Sequence, residues 1–368
     1  KISGSLKGAK KGDWVKLRLL DSGSKYTESL RGAVEEPLEK AGTVYGDLLA
    51  VAREFDMPGP YTPEFEAFAA KLQPLANVQR EDLSSLFTVT IDPKDAKDFD
   101  DALSIEDGEK EWKIGVHIAD VAAYVRPGTK LDREARRRAF SSYIPGMFRP
   151  MLPRPLTQKI SLRQDADSLA HTVILTVRKR DGAITSTRRT FSLIRVNHRL
   201  NYDEVQEFID GTAPETWTDE LKNAVALLTK ATRKMRARRK RREEFLSFDT
   251  PEIRVLCDEA THEIQGIERR EQRESDELVE ECMLAANSAV AEEISIANYA
   301  GIYRIHPEPE PEKLDEFTLF VAALLKRMPG DLTNRKGCNE FLDHLPDDHR
   351  TYVITANFLR AMGRASYS

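Results

Sequence analysis

Residues 88–105 read TVTIDPKDAKDFDDALSI, and the rest of the chain is organised around them. Two apolar runs bracket a stretch holding Asp92, Asp95, Asp98, Asp100 and Asp101. Phe87, Val89 and Ile91 on one side, and Ala102, Leu103 and Ile105 on the other, read as strand ends that hold the acids against a core. Two unit charges about 4 Å apart repel by roughly 1 kcal/mol in bulk water and roughly 4 kcal/mol at an effective dielectric near 20, so converging carboxylates call for a cation between them. Oxygen-only ligands suit Mg²⁺ or Mn²⁺, which keep several waters and bind through a few carboxylates plus a phosphate from the substrate. Phosphoryl chemistry follows. The plainer reading is a solvated Asp-rich turn. An EF-hand loop is excluded, because Asp98 and Asp100 are followed by Asp101 and Ala102 where that motif needs another oxygen ligand and then Gly.

Further segments stand in order along the chain: VHIADVAAYVRPG at 116–128, RAFSSYIPGMFRPMLPRPL at 138–156, LVEECMLAANSAVAE at 278–292 and IYRIHPEPEPEKL at 302–314. Together with IDPKDAKDFDDA at 91–102, they resemble the RNase II and RNase R family of 3′-to-5′ exoribonucleases over nearly everything from about residue 86 onward. Four acids fall on that family's catalytic aspartates: Asp92, Asp98, Asp100 and Asp101. The resemblance implies that these four bind one or two Mg²⁺ (or Mn²⁺) ions. It implies that Tyr143 stacks the terminal base, that Tyr202 lies near the scissile phosphate, and that Glu280 is a supporting carboxylate on a helix beside the site. His117 and Asp120 fall in the stretch matching the neighbourhood of the metal site, and His117 is expected to bind substrate or support the site.

With 368 residues the chain can bury a real core, and 32% charged with 40% hydrophobic residues describes a globular protein. The net charge of -5 argues against a generally basic nucleic-acid binder without excluding a local basic channel. Cys257, Cys282 and Cys338 form no CxxC pair, so neither a disulfide framework nor a thiolate zinc site is readable, and a reducing cytoplasm fits best. No apolar run approaches membrane-spanning length and no signal pattern opens the chain, so no membrane association is expected.

Taken in order, GDWVKLRLL at 12–20 alternates like a strand and opens a small β module. Trp14, Tyr26 and the lysines at 7, 10 and 11 suit either RNA stacking and neutralisation or an ordinary packed Trp beside a solvated tail. Thr62 and Pro63 start a connecting helix. In KIGVHIADVAAYV at 113–125, Ile114, Val116 and Ile118 share one strand face and His117 the other. Arg136, Arg137 and Arg138 face either phosphate or water, and the proline-rich run after Tyr143 is a rigid loop. Asp181-Gly182 marks a hairpin between two strands. The run KATRKMRARRKRR at 230–242 reads as a packed helix with a basic outer surface. Residues 274–300 read as a long helix with Leu278, Cys282, Ala285 or Ala286 and Ala289 on its packing face.

The expected fold is α+β. Residues 1–57 would form a partial cold-shock, OB-like RNA-binding module, 58–85 a helical connector, and 86–368 an RNB-type catalytic domain with mixed or antiparallel strands and helices around an RNA channel. The expected activity is processive, metal-dependent hydrolysis of single-stranded RNA to nucleoside 5′-monophosphates by a cytoplasmic monomer. Two rivals stand beside it: a non-catalytic RNA-binding member of the same fold, and a metal-dependent phosphatase or endonuclease on another fold. The chain stops at RAMGRASYS, where family members continue into a segment resembling HFTSPIRRY and an S1 domain. The resemblance therefore implies an incomplete catalytic domain, and residues 1–368 alone are expected to turn over slowly.

Overall fold

The computed structural model describes residues 2–21, 31–242, 245–246, 252–258, 261 and 263–368. Tyr26, considered above for stacking, lies outside them. The chain divides into two compact units, one of residues 1–75, 121–159 and 252–270, the other of residues 76–120, 160–251 and 271–368.

The second unit is built on a mixed seven-stranded sheet in the order His198–Asn201, Thr88–Asp92, Asp101–Asp107, Glu111–Ala119, Asp167–Arg178, Ile184–Arg195 and Glu81–Asp82. The first and last neighbours pair parallel and the others antiparallel. The period-2 alternation read at 113–125 holds: Ile114 and Val116 are fully buried and join Val89, Ile91, Leu103, Val173 and Leu175 in one core, with Ile118 half-buried beside it. Helices Asp219–Arg241 and Glu274–Ile296 supply the facing side through Leu221, Val225, Leu228, Leu278, Cys282 and Ala286. The hairpin turn also stands where Asp181-Gly182 indicated. Gly182 sits at φ +70, and a Cβ there would meet the carbonyl oxygen of Lys234 at 2.4 Å, so both conformation and space demand glycine.

The other sheet face carries buried polar groups. Ser104 Oγ and Thr172 Oγ1 bond the two ring nitrogens of His117 at 2.9 and 2.8 Å, and Thr172 Oγ1 meets Ser192 Oγ at 2.6 Å. His117 is 0% exposed, and burial pulls its pKa down to about 4, so the ring is neutral at physiological pH. This corrects the expectation that His117 binds substrate: both nitrogens are spent inside the sheet. The chain of bonds also explains a glycine. A Cβ on Gly115 would stand 2.4 Å from Ser104 Oγ and 2.8 Å from His117 Nε2. Gly115→Ala is therefore expected to break the Ser104–His117 bond and to cost about 1–3 kcal/mol through overpacking, read by urea denaturation. An unchanged midpoint would mean that the neighbours move aside freely.

The basic helix takes its expected form, with Leu228, Ala231 and Met235 buried and Lys230, Arg233, Lys234, Lys240 and Arg241 exposed, and part of its charge is paired. Arg236 pairs with Glu277 at 2.7 Å and Arg239 with Glu281 at 2.5 Å; Arg233 pairs with Glu274, and Arg238 stands 3.8 Å from Asp181. Arg233, Arg236 and Arg239 thus lean on the acidic helix Glu274–Ile296, while the exposed lysines and arginines keep the outer surface basic. Helices Pro311–Leu325, Arg335–Asp343 and His349–Ala361 enclose a separate core of Leu314, Phe317, Val321, Phe341, Ile354 and Phe358.

In the first unit, strands Asp13–Asp21 and Arg31–Lys40 pair antiparallel and precede helix Val44–Glu54. Trp14 Nε1 donates to Asp47 Oδ1 at 2.7 Å, which ties this ribbon to that helix. Thr62 caps the helix Pro63–Ala70 with proline in its first turn, as the sequence indicates. Arg136 and Arg137 pair with Asp132 and Glu134 on their own helix, Lys130–Arg138, whereas Arg138 is buried. The architecture is α+β. Among the described residues, no helix is long and apolar enough to cross a membrane.

Candidate active site

The Asp-rich loop leaves the sheet at Asp92, the last residue of Thr88–Asp92, and re-enters it at Asp101, the first residue of Asp101–Asp107. Its backbone is pinned from several sides. Phe99 N–H donates to Ser161 Oγ at 3.2 Å, Leu162 N–H donates to the Phe99 carbonyl at 2.9 Å, and Ala119 N–H donates to the Asp100 carbonyl at 2.9 Å. Arg199 Nη2 donates to the carbonyls of Lys94 and Ala96 at 3.4 and 3.2 Å, and its guanidinium lies 4.4 Å from the centre of the Phe99 ring. Sequence reasoning missed Arg199, since an arginine on a short strand carries no motif.

The carboxylates feel one another. Asp92 is 8% exposed, and its Oδ2 is buried with no hydrogen-bond partner. Desolvation pushes its pKa up to about 7, with the charges of Asp101 and Asp100 adding to the rise and the Thr90 hydroxyl and Arg199 opposing it. Asp101 rises to about 6, from desolvation first and Asp100 second. Asp100 is raised by desolvation and then by Asp98, although its residue surface is exposed. The structure thus couples Asp92, Asp98, Asp100 and Asp101 through their charges. Among the described residues, no group of three His, Cys, Asp or Glu side chains stands ready to hold a metal ion. The donor set nonetheless fits a hard divalent cation: every donor is a carboxylate oxygen, and one of them is buried and unpaired.

Tyr202 begins helix Tyr202–Ile209 directly after Asn201, which pairs across the sheet with Asp92, so the fold sets it close along the chain to that acid's partner. Cys282, fully buried, is raised to about 12 by desolvation and then by the charges of Glu281 and Asp101, which sets its helix beside the end of the Asp loop. Glu280 does not share that position. It is exposed and accepts a bond from Gln272 Nε2 at 2.6 Å, whereas Glu281 is 1% exposed and is the buried carboxylate of this helix. The reason is helix phase: Leu278 and Cys282 face the core, and a residue two positions past Leu278 is turned about 200° from it. Tyr143 belongs to the other unit and is 76% exposed, its ring centre 4.8 Å from that of Phe148.

The raised carboxylates predict a pH dependence. Asp92 and Asp101 hold their protons more tightly folded than at their ordinary value of 3.8. Their contribution to stability is therefore fully present below about pH 4 and is lost as pH rises through about 6 to 7. In metal-free buffer, the Tm of Asp92→Asn relative to the native chain is expected to climb from about pH 4 to about pH 8. Adding Mg²⁺ at the upper end should raise the native Tm more than the variant's. Parallel curves across the range would contradict the burial of charge at Asp92.

A model of the RNB domain matches residues 80–368. Ribonuclease R of Thermotoga maritima is 32% identical over 335 residues, covering 88% of this chain and 46% of that protein. Mycoplasma genitalium RNase R, solved in complex with double-stranded RNA, is similar with a TM-score of 0.93 at 22% identity, over 100% of this chain and 66% of the other. Its complex with ribose-methylated single-stranded RNA gives 0.86 at 23% identity, over 92% and 54%. Yeast Ssd1, described as a pseudonuclease, gives 0.73 at 16% identity, over 97% and 44%. The structural likenesses speak for the fold, and the chain spans about half the length of the curated relatives it matches. With the domain match running from the edge of the sheet through the Asp loop to the last helices, the chain belongs to the RNB family.

Proposed function

We propose that this chain carries the catalytic part of a processive 3′-to-5′ exoribonuclease that hydrolyses single-stranded RNA to nucleoside 5′-monophosphates. The observation that carries the reading is the buried carboxylate of Asp92, its Oδ2 without a hydrogen-bond partner, coupled by charge to Asp100 and Asp101 within the segment that the family match covers. Asp92, Asp98, Asp100 and Asp101 would hold one or two Mg²⁺ or Mn²⁺ ions, whose chemistry when bound is to make water a stronger nucleophile and to neutralise charge on phosphoryl and leaving oxygens. The chain's own residues do the positioning. The pinned backbone at Phe99 and Asp100 fixes where the carboxylates stand, and Arg199 holds the outer half of the loop. Tyr202, at the start of its helix after the strand paired with Asp92, would serve near the scissile phosphate, and Tyr143 offers an exposed ring for a terminal base. The RNA-bound neighbours support RNA as the substrate class.

A second reading has its own support, because a pseudonuclease shares the fold. Four intact acids in the Asp loop speak against it here. A 5′-labelled single-stranded RNA incubated with Mg²⁺ and the protein expressed from its complete reading frame separates the cases. Progressive shortening to very short ends supports the exonuclease. Internal cuts would replace it with an endonuclease, and a gel shift without cleavage would favour the RNA-binding reading.

A further inference from the structure

The helix Lys130–Arg138 ends on Ala139, whose φ of 65 and ψ of -43 describe a γ-turn, closed by Phe140 N–H donating to the Arg138 carbonyl at 2.8 Å. A residue with a Cβ stays in this rare, strained conformation only where its surroundings over-determine it. Those surroundings are organised by the Arg138 side chain, which is 5% exposed. Its Nε donates to Glu134 Oε1 at 2.8 Å, its Nη1 to the Pro150 carbonyl at 3.2 Å and its Nη2 to the Gly59 carbonyl at 3.0 Å. Its guanidinium carbon lies 3.6 Å from the centre of the Tyr61 ring. The Tyr61 hydroxyl in turn donates to the Met151 carbonyl at 2.5 Å, and Ser141 Oγ accepts the Met151 N–H at 3.0 Å.

These bonds meet at the two feet of one hairpin. Strands Ser142–Ile144 and Met147–Arg149 pair antiparallel, with Ser141 before them and Pro150 and Met151 after them. Near the tip, Tyr143 faces Phe148 across the ribbon with an interplanar angle of 30°. An exposed aromatic pair on a ribbon clamped at both feet loses little freedom when a flat ligand stacks on it, which is the cost that otherwise weakens binding. Three acceptors in three directions and one ring face suit the planar fork of arginine, and a lysine ammonium cannot serve them together.

We propose that Arg138 is a positioning residue that presets the Tyr143–Phe148 pair as a stacking platform for the terminal nucleobase of an RNA. The proposal rests on the exoribonuclease reading given above. Arg138 acts through the hairpin and touches no substrate itself, and Phe148 backs the Tyr143 ring.

The test uses an oligoribonucleotide with 2-aminopurine at its 3′ end and a non-hydrolysable last linkage, so that stacking is read as fluorescence quenching without turnover. The native chain should quench the probe, and Tyr143→Ala should weaken binding about tenfold. Arg138→Lys should weaken it several-fold, and the double variant should bind no more weakly than Tyr143→Ala alone. Phe148→Leu keeps the hairpin's apolar volume, and should also lose several-fold in a manner that vanishes in the Tyr143→Ala background, which covers an Arg138 variant that folds poorly. If Arg138→Lys and Phe148→Leu lower Tm yet bind the probe as the native chain does, or if their effects simply add to that of Tyr143→Ala, the clamp is structural only and the proposal fails. If the native chain gives no quenching, the stacking role of Tyr143 fails and the clamp's role falls with it.

Discussion

Asp100→Asn is expected to lower the rate of single-stranded RNA hydrolysis by about 10²–10³-fold or more while leaving RNA affinity within about twofold. The asymmetry follows from what the residue does. Its backbone carbonyl is bonded to Ala119 N–H, so the isosteric amide leaves the loop in place. Its carboxylate is one of a charge-coupled set, and removing one negative donor changes how developing phosphoryl charge is balanced. Binding of the strand depends on phosphate contacts elsewhere, which the substitution leaves alone. Single-turnover kinetics and a filter-binding titration on the same RNA check both halves. A variant that degrades RNA at the native rate would remove the Asp loop from the chemistry, and one that loses binding and rate together would make the loop a binding element.

Glu281 and Glu280, adjacent in sequence, are expected to behave as opposites. Glu281 Oε1 lies 2.5 Å from Arg239 Nη1 and 3.5 Å from Arg236 Nη1, with the Phe245 ring within 5.2 Å of both guanidinium carbons. Glu281→Ala leaves the partly covered Arg239 without its carboxylate, while Arg236 keeps Glu277, and should cost about 3 kcal/mol. Glu280→Ala removes an exposed group bonded to Gln272 and should change stability by less than about 0.5 kcal/mol. Urea midpoints decide it, and equal losses at the two positions would mean that the burial of Glu281 contributes nothing.

What could be read from the sequence was local. The Asp spacing, the period-2 face of Ile114 and Val116, the hairpin at Asp181-Gly182 and the packing stripe of Leu278 and Cys282 each depend on a few neighbouring residues. What could not be read depends on partners far along the chain. His117 points off the apolar face as expected, yet that face is closed by Ser104, Thr172 and Ser192 from three other strands. The pairing of Arg233, Arg236 and Arg239 with Glu274, Glu277 and Glu281 joins two helices far apart in sequence, so no local pattern shows it. The resemblance places a carboxylate on this helix, but which of two adjacent glutamates is buried depends on helix phase against the core, which favours Glu281 over Glu280. Arg199 was overlooked because its role, holding the carbonyls of Lys94 and Ala96, exists only once the strand His198–Asn201 pairs with Thr88–Asp92.

The most direct test of the exoribonuclease assignment is the identity of the first product released from an RNA labelled in its 3′-terminal nucleotide. The protein from the complete reading frame, with Mg²⁺, should release that label first and as a nucleoside 5′-monophosphate, and the Asp100→Asn form should release none on the same timescale. Label appearing first in internal fragments, as a 3′-phosphate, or at equal rates from both forms would contradict it.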